Sequence, residues 1–255
     1  MMIRFLPALA ALALAAPLYA AKTPDPAAAD AWCPRADRDL PRGPDWHCYG
    51  RLTKQVSFAF VYPRAVERVP QLDALIRTEA GTAQTAIMAQ AEEAEADGRA
   101  RSRLRYEAVW RLDAILPEIA AASGEIRRTG GGRDGTEFRT ILIDRERGRT
   151  IRLADLFRAG FFESRLLWRV WGMRRVQGAL CGALAAGAEC PDVEDPPITL
   201  LCGANGRIDT LRAYLPEAVD FPVNAEMMAA LQARFRPAFG LRSERRARIP
   251  AAPCR

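Results

Sequence analysis

The sequence predicts an α+β fold: an antiparallel sheet packed by two long helices, with a short C-terminal helix. Three observations carry that expectation. Residues 56–62, 101–112 and 137–144 alternate their side chains with a period of two, the pattern of strands. Residues 70–97 and 162–186 instead repeat apolar side chains at helical spacing. Short polar turns rich in Gly, Asn and Asp separate several of the strand-like runs, and such turns suit hairpins.

The chain opens with Met1-Met2-Ile3-Arg4, an apolar run over residues 5–16, and a small-residue exit at Ala20 and Ala21. A short positive start, an apolar stretch and a small-residue end follow the order of an export signal. The run is too short to span a bilayer, and Pro24 and Pro26 follow it closely. Residues 1–21 are therefore expected to be a secretory signal peptide, cleaved at Ala20 or Ala21, which would place the mature chain in the periplasm. About 235 residues then remain, enough for one sizeable domain or two small ones.

Export would put the six cysteines (Cys33, Cys48, Cys181, Cys190, Cys202 and Cys254) where disulfides persist. An even number fits full pairing, with the connectivity open. Cys33 and Cys48 bracket a turn-rich stretch of little apolar content, so a bridge there would staple a loose arm. Cys181 and Cys190 bracket a second local loop, which would leave Cys202 and Cys254 to tie the tail to the sheet. No Cys-x-x-Cys occurs and His47 is the only histidine, so neither a zinc site nor a thioredoxin-like centre is indicated. No metal or cofactor is expected.

The net charge of +6 comes almost wholly from arginine, since Lys22 and Lys54 are the only lysines. Positive excess favours anionic surfaces such as membranes or acidic cell-wall polymers, and export argues against nucleic acid.

In chain order, residues 22–55 form an expected flexible, disulfide-stapled arm. Val56, Phe58, Phe60 and Tyr62 then share one face of a strand that Pro63 ends. Pro70 opens a helix with Leu72, Ile76, Ala80, Ala83, Ile87 and Ala91 along one stripe, small enough to lie close on a sheet, and Gly98 closes it. From residue 101 the period returns to two. Arg101, Arg103, Arg105 and Glu107 face one way; Leu104, Tyr106, Ala108, Trp110 and Leu112 face the other. Further strands are expected at 118–122, 125–128 and 137–144. Gly130-Gly131-Gly132-Arg133-Asp134-Gly135 joins two of them as a hairpin loop; a phosphate-binding loop would need a helix after it, whereas Thr136 leads back into a strand. Residues 145–149 make another turn, and 150–153 resume in extended form. Residues 162–186 are the expected second long helix, widened by Trp168 and Trp171. Residues 198–202 and 207–215 make a hairpin about Asn205-Gly206. Asn224 caps a last helix ending near Arg236-Pro237, with Val223 and Met228 spaced as a hydrophobic staple. A basic tail, 241–255, follows.

Chemistry is harder to find. A lone histidine in a turn-rich arm does not support a Ser-His-Asp triad. Glycosidase-type work needs two carboxylates across a cleft, one with a raised pKa. Glu107, Asp113, Glu118, Glu125, Asp144, Asp155, Glu163 and Asp209 could be proposed, but no spacing selects a pair. Most are expected to face solvent beside arginines, which would lower their pKa values.

Ser123-Gly124-Glu125-Ile126-Arg127-Arg128-Thr129-Gly130-Gly131 precedes a strand, and Gly148-Arg149-Thr150-Ile151-Arg152-Leu153-Ala154-Asp155-Leu156-Phe157 precedes the long helix. This succession resembles the RsiV-like C-terminal domain of unknown function, a module also found in PdaC-type polysaccharide deacetylases. Cys181, Cys190-Pro191 and Asn205-Gly206-Arg207-Ile208-Asp209-Thr210 look like its exported proteobacterial branch. Residues 56–100 are similar to the smaller strand-helix module that usually precedes the main domain, here 101–240. The resemblance covers roughly residues 56–239. It implies an extracytoplasmic α+β domain; in the anti-sigma factor it is similar to, this region recognises lysozyme. Two departures stand out. Family members commonly carry a small residue and a histidine after Thr-Gly-Gly, where this chain has Gly132-Arg133. Residues 215–221 also lack a longer, aromatic-rich loop.

The expected function is thus an exported, non-enzymatic binding or accessory domain for an envelope protein or an anionic cell-wall glycan. Its candidate binding residues are Arg101, Arg103 and Arg105, with Arg133 in the glycine turn. The alternatives are a peptidoglycan-acting hydrolase or deacetylase-associated enzyme using paired carboxylates, and a purely structural envelope protein.

Overall fold

A computed structural model describes residues 40–98, 103–131, 134–159, 161, 197–214 and 218–241, which form a mixed α+β arrangement made mostly of sheet. A six-stranded sheet runs in the order β1 (Trp46–Leu52), β2 (Val56–Pro63), β3 (Leu104–Ile115), β4 (Ile119–Thr129), β5 (Gly135–Asp144) and β6 (Arg149–Ile151). A three-stranded sheet contains β7 (Ile198–Cys202), β8 (Ile208–Tyr214) and β9 (Ala218–Pro222). Helix α1 (Pro70–Ala96) crosses from β2 to β3, and α2 (Ala225–Ala230) follows β9.

The alternation of β2 and β3 and the stripe of α1 meet as expected. Phe58, Phe60, Tyr62, Tyr106 and Trp110 point to one face of the large sheet, where Leu72, Ile76, Ala80, Ile87 and Ala91 of α1 cover them. Gly124 belongs to this face: a Cβ there would lie 2.6 Å from Cε2 of Trp110, so only glycine lets the indole lie across β4.

Several expectations need correction. The large sheet is not wholly antiparallel, because β2 pairs with β3 in parallel. An α1 crossover returns the chain to the same end of the sheet, and that connection produces a parallel neighbour. Residues 118–122 and 125–128 are one strand, β4, since Ser123 and Gly124 stay in register with Arg111 and Trp110. Residues 46–52, inside the expected arm, form edge strand β1 antiparallel to β2. Residues 218–222, expected as part of a loop, form β9. The last helix stops at Ala230. Leu231 leaves helical geometry to bridge Phe157, and a separate 3-10 turn, Ala233–Ala238, carries Pro237. Among the described residues α1 is the one long helix; the expected second, 162–186, lies outside them.

A second core lies on the opposite face of the large sheet. Ala114, Ala121, Leu142 and Ile151 share register there and meet Leu200, Ile208 and Leu211 of the small sheet, with Met227, Leu231, Phe235 and Phe239 behind. Asn224 caps α2 as expected, its Oδ1 accepting from Met227 N at 2.9 Å.

Candidate functional site

The face of β3 and β4 turned away from α1 divides into two halves. Its charged half carries Arg105, Glu107 and Arg111 on β3; Arg127 and Glu125 on β4 stand opposite Glu107 and Val109. Arg105, Arg111 and Arg127 are exposed, and Arg103 sits just before β3 with its Nε donating to the Lys54 carbonyl at 3.3 Å. Glu125 accepts from Arg127 at 2.9 Å. The sequence placed Arg103 and Arg105 on one face; β3 begins at Leu104, so of the two only Arg105 has a place in the register. Arg111 and Arg127 join it through strand length and register. Arg101 and Arg133 lie outside the described residues.

The apolar half begins at an irregularity. Leu112 pairs with Ala122 and Ala114 with Ala121, so Asp113 is the extra residue of a β-bulge. The small sheet lies against β3 here. Thr199 of β7, fully buried, donates its hydroxyl to Asp113 at 2.6 Å. The Ser123 hydroxyl of β4, which also favours the ionised form of Asp113, lies 3.0 Å from the Tyr214 hydroxyl of β8. Tyr214 stacks on Phe138 of β5 with ring centroids 4.6 Å apart. Burial pushes the Asp113 carboxyl up to about 6 from 3.8, against the hydrogen bond from Thr199, the nearby Ser123 hydroxyl and the charges of Arg111 and Arg212. Asp113 is thus an exception to the lowered pKa expected for most carboxylates of the chain. Arg212 is held in turn by two hydrogen bonds to Asp220, at 2.6 and 2.9 Å.

Other candidate residues serve elsewhere. Asp144 is buried and accepts from Arg234, tying the end of β5 to the 3-10 turn. Asp155 accepts from the Arg152 backbone at 2.8 Å and so stabilises a short 3-10 turn at Leu153–Leu156, directly after the expected extended run. Asp209 accepts from Thr210 Oγ1 at 2.8 Å. Glu163 lies outside the described residues. His47, placed by the sequence on a loose arm, is on β1: its side chain is mostly buried, its Nε2 lies 2.7 Å from Glu67, and its ring lies 4.9 Å from that of Tyr62. Among the described residues no group of three or more His, Cys, Asp or Glu is arranged to hold a metal. Among the described residues no cysteine is free; Cys48 lies on β1 and Cys202 on β7, and the other four cysteines lie outside the described residues. No described helix is long and apolar enough to cross a membrane.

Neither a protein-family model nor a curated protein matches this chain. Among solved structures, a DUF3298 family protein from Pseudomonas aeruginosa PAO1 aligns at 15% identity and TM-score 0.42, covering 81% of this chain and 99% of that one. A DUF3298 family member from Bacteroides fragilis NCTC 9343 aligns at 11% identity and TM-score 0.43, covering 74% and 94%. The structural neighbours of this chain are thus members of a family whose domain has no known function.

Proposed function

We propose that this chain is an exported periplasmic domain, held by disulfides, that binds rather than catalyses, and that its charged half-face receives an anionic cell-wall glycan. One observation carries this reading: register gathers Arg105, Arg111 and Arg127 along adjoining β3 and β4, with Arg103 just before β3, against Glu107 and Glu125 on the same face. Guanidinium groups on a rigid sheet suit a carboxylate-bearing polymer, because each planar fork pairs two oxygens and the strand fixes the spacing between forks. The signal-like N-terminus supports this reading, since export would bring such a polymer within reach.

The test is retention of the mature, oxidised protein on purified anionic cell-wall glycan, compared with a variant carrying Arg105→Ser, Arg111→Ser and Arg127→Ser. Retention by the native protein that salt weakens and the variant loses supports the proposal. Equal retention of both proteins removes it, and so does no retention of either; an envelope protein captured equally by both would place the partner on another surface.

A further inference from the structure

The border between the two half-faces carries a device of its own. The bulge leaves Asp113 without a cross-strand partner on β4 and presents it to the small sheet, where Thr199 reaches it across 86 residues of chain. The groups facing it come from every element at this joint: Arg111 from β3, Ser123 from β4, Thr199 from β7, and Arg212 and Tyr214 from β8. None is a cation in direct hydrogen-bond contact, and Arg212 is already engaged by Asp220 of β9. A carboxyl enclosed by hydroxyls, with its arginines at one remove, loses solvent on docking without gaining a full countercharge.

We propose that Asp113 is a proton-operated latch between the two sheets, drawing β7 and β8 onto the large sheet when protonated and slackening the joint when ionised. The Thr199 hydroxyl donates to the carboxyl in either state, at 2.6 Å, and this one neutral donor offsets the desolvation of the ionised form only in part.

The sign follows from the raised carboxyl pKa in the docked state. Undocking returns Asp113 to its ordinary value near 3.8, so the docked joint holds the proton more tightly. Its contribution to docking is full below 3.8, falls as pH climbs toward about 6, and is level above that. Between about pH 4 and pH 7 the docking constant should fall about fiftyfold through this group alone.

Hydrogen exchange of residues 198–214, with α1 as internal reference and exchange rates corrected for pH, reads the joint directly. The native chain is compared with Asp113→Asn, which keeps the acceptor but cannot ionise. At about pH 4 the two should open alike. At about pH 7 the native joint should open about fiftyfold more often than the variant's, with α1 unchanged in both. Equal opening at both pH values overturns the proposal, as does a variant that opens more at pH 7. A carboxyl-carbon NMR titration of the native protein gives an independent reading that needs no variant. A midpoint for Asp113 near 6 supports the latch, and one near 4 overturns it.

Discussion

The two faces of the large sheet are covered by different means. Helix α1 covers one face mainly by apolar packing along its stripe, over a slab of aromatic rings: Phe58 stacks on Tyr106 at 5.3 Å and Phe60 leans on Trp110 at 6.4 Å, while Glu79 pairs with Arg139 of β5 at the margin. The Trp110 indole N–H is buried there without an acceptor among the described residues. On the other face, the small sheet and the 3-10 turn behind it dock with polar links built into the apolar contact: Thr199 to Asp113, Tyr214 to Ser123, and Arg234 to Asp144, across 86, 91 and 90 residues. On the helix side the polar links, Glu79 to Arg139 and Glu95 to Gln55, lie at the partly exposed margin and leave the buried contact to shape. Two sheets meeting need their relative position fixed, and directional polar bonds can fix it at a cost in desolvation.

Deleting a ring from either core should do comparable damage. Phe60→Ala under α1 and Phe235→Ala behind the small sheet should each lose about 3–5 kcal/mol in urea unfolding. A markedly smaller loss for Phe235 would mean that the second core is loosely packed. Asp144→Ala should cost about 3 kcal/mol, because Arg234 is left at a largely buried site without its partner. Its loss should raise exchange in α2 and the following turn before it affects α1. On the helix side, Gly124→Ala should cost about 1–3 kcal/mol, since Trp110 must shift to admit the methyl group. A change in tryptophan emission should accompany that loss. Asn224→Ala removes the cap of α2 and should cost about 1 kcal/mol, read from the same unfolding curves. Arg127→Ser should change stability by no more than about 0.5 kcal/mol, because its pair with Glu125 is solvent-facing. Any larger loss would make that arginine a structural member of the sheet.

What the sequence disclosed follows the range of the forces involved. The β2 face, the α1 stripe and the Asn224 cap depend on neighbours a few residues apart, and their patterns are visible in the chain. β1 escaped notice because Trp46-His47-Cys48-Tyr49-Gly50-Arg51-Leu52 shows no clean alternation; its place depends on pairing with β2. The second sheet was legible as a hairpin but not as a separate layer, since layer assignment is a tertiary matter. At the site, the outward face of Arg105 was readable from alternation. Arg127 needed the cross-strand register. Asp113 stood among eight candidate carboxylates with no local mark, because only the bulge and the arrival of Thr199 set it apart.

The lone parallel pair among these strands bears on how the molecule is assembled. Each antiparallel partner from β3 through β6 follows the last across a short turn, so those contacts close small loops and can form early. Pairing β2 with β3 must wait until the 27-residue α1 has folded back between them, and β1 can join only through β2. The meander from Leu104 to Ile151 is therefore the natural nucleus. The β3 edge stays exposed until β2 docks on it, and that interval is when the chain is most open to pairing with a stranger.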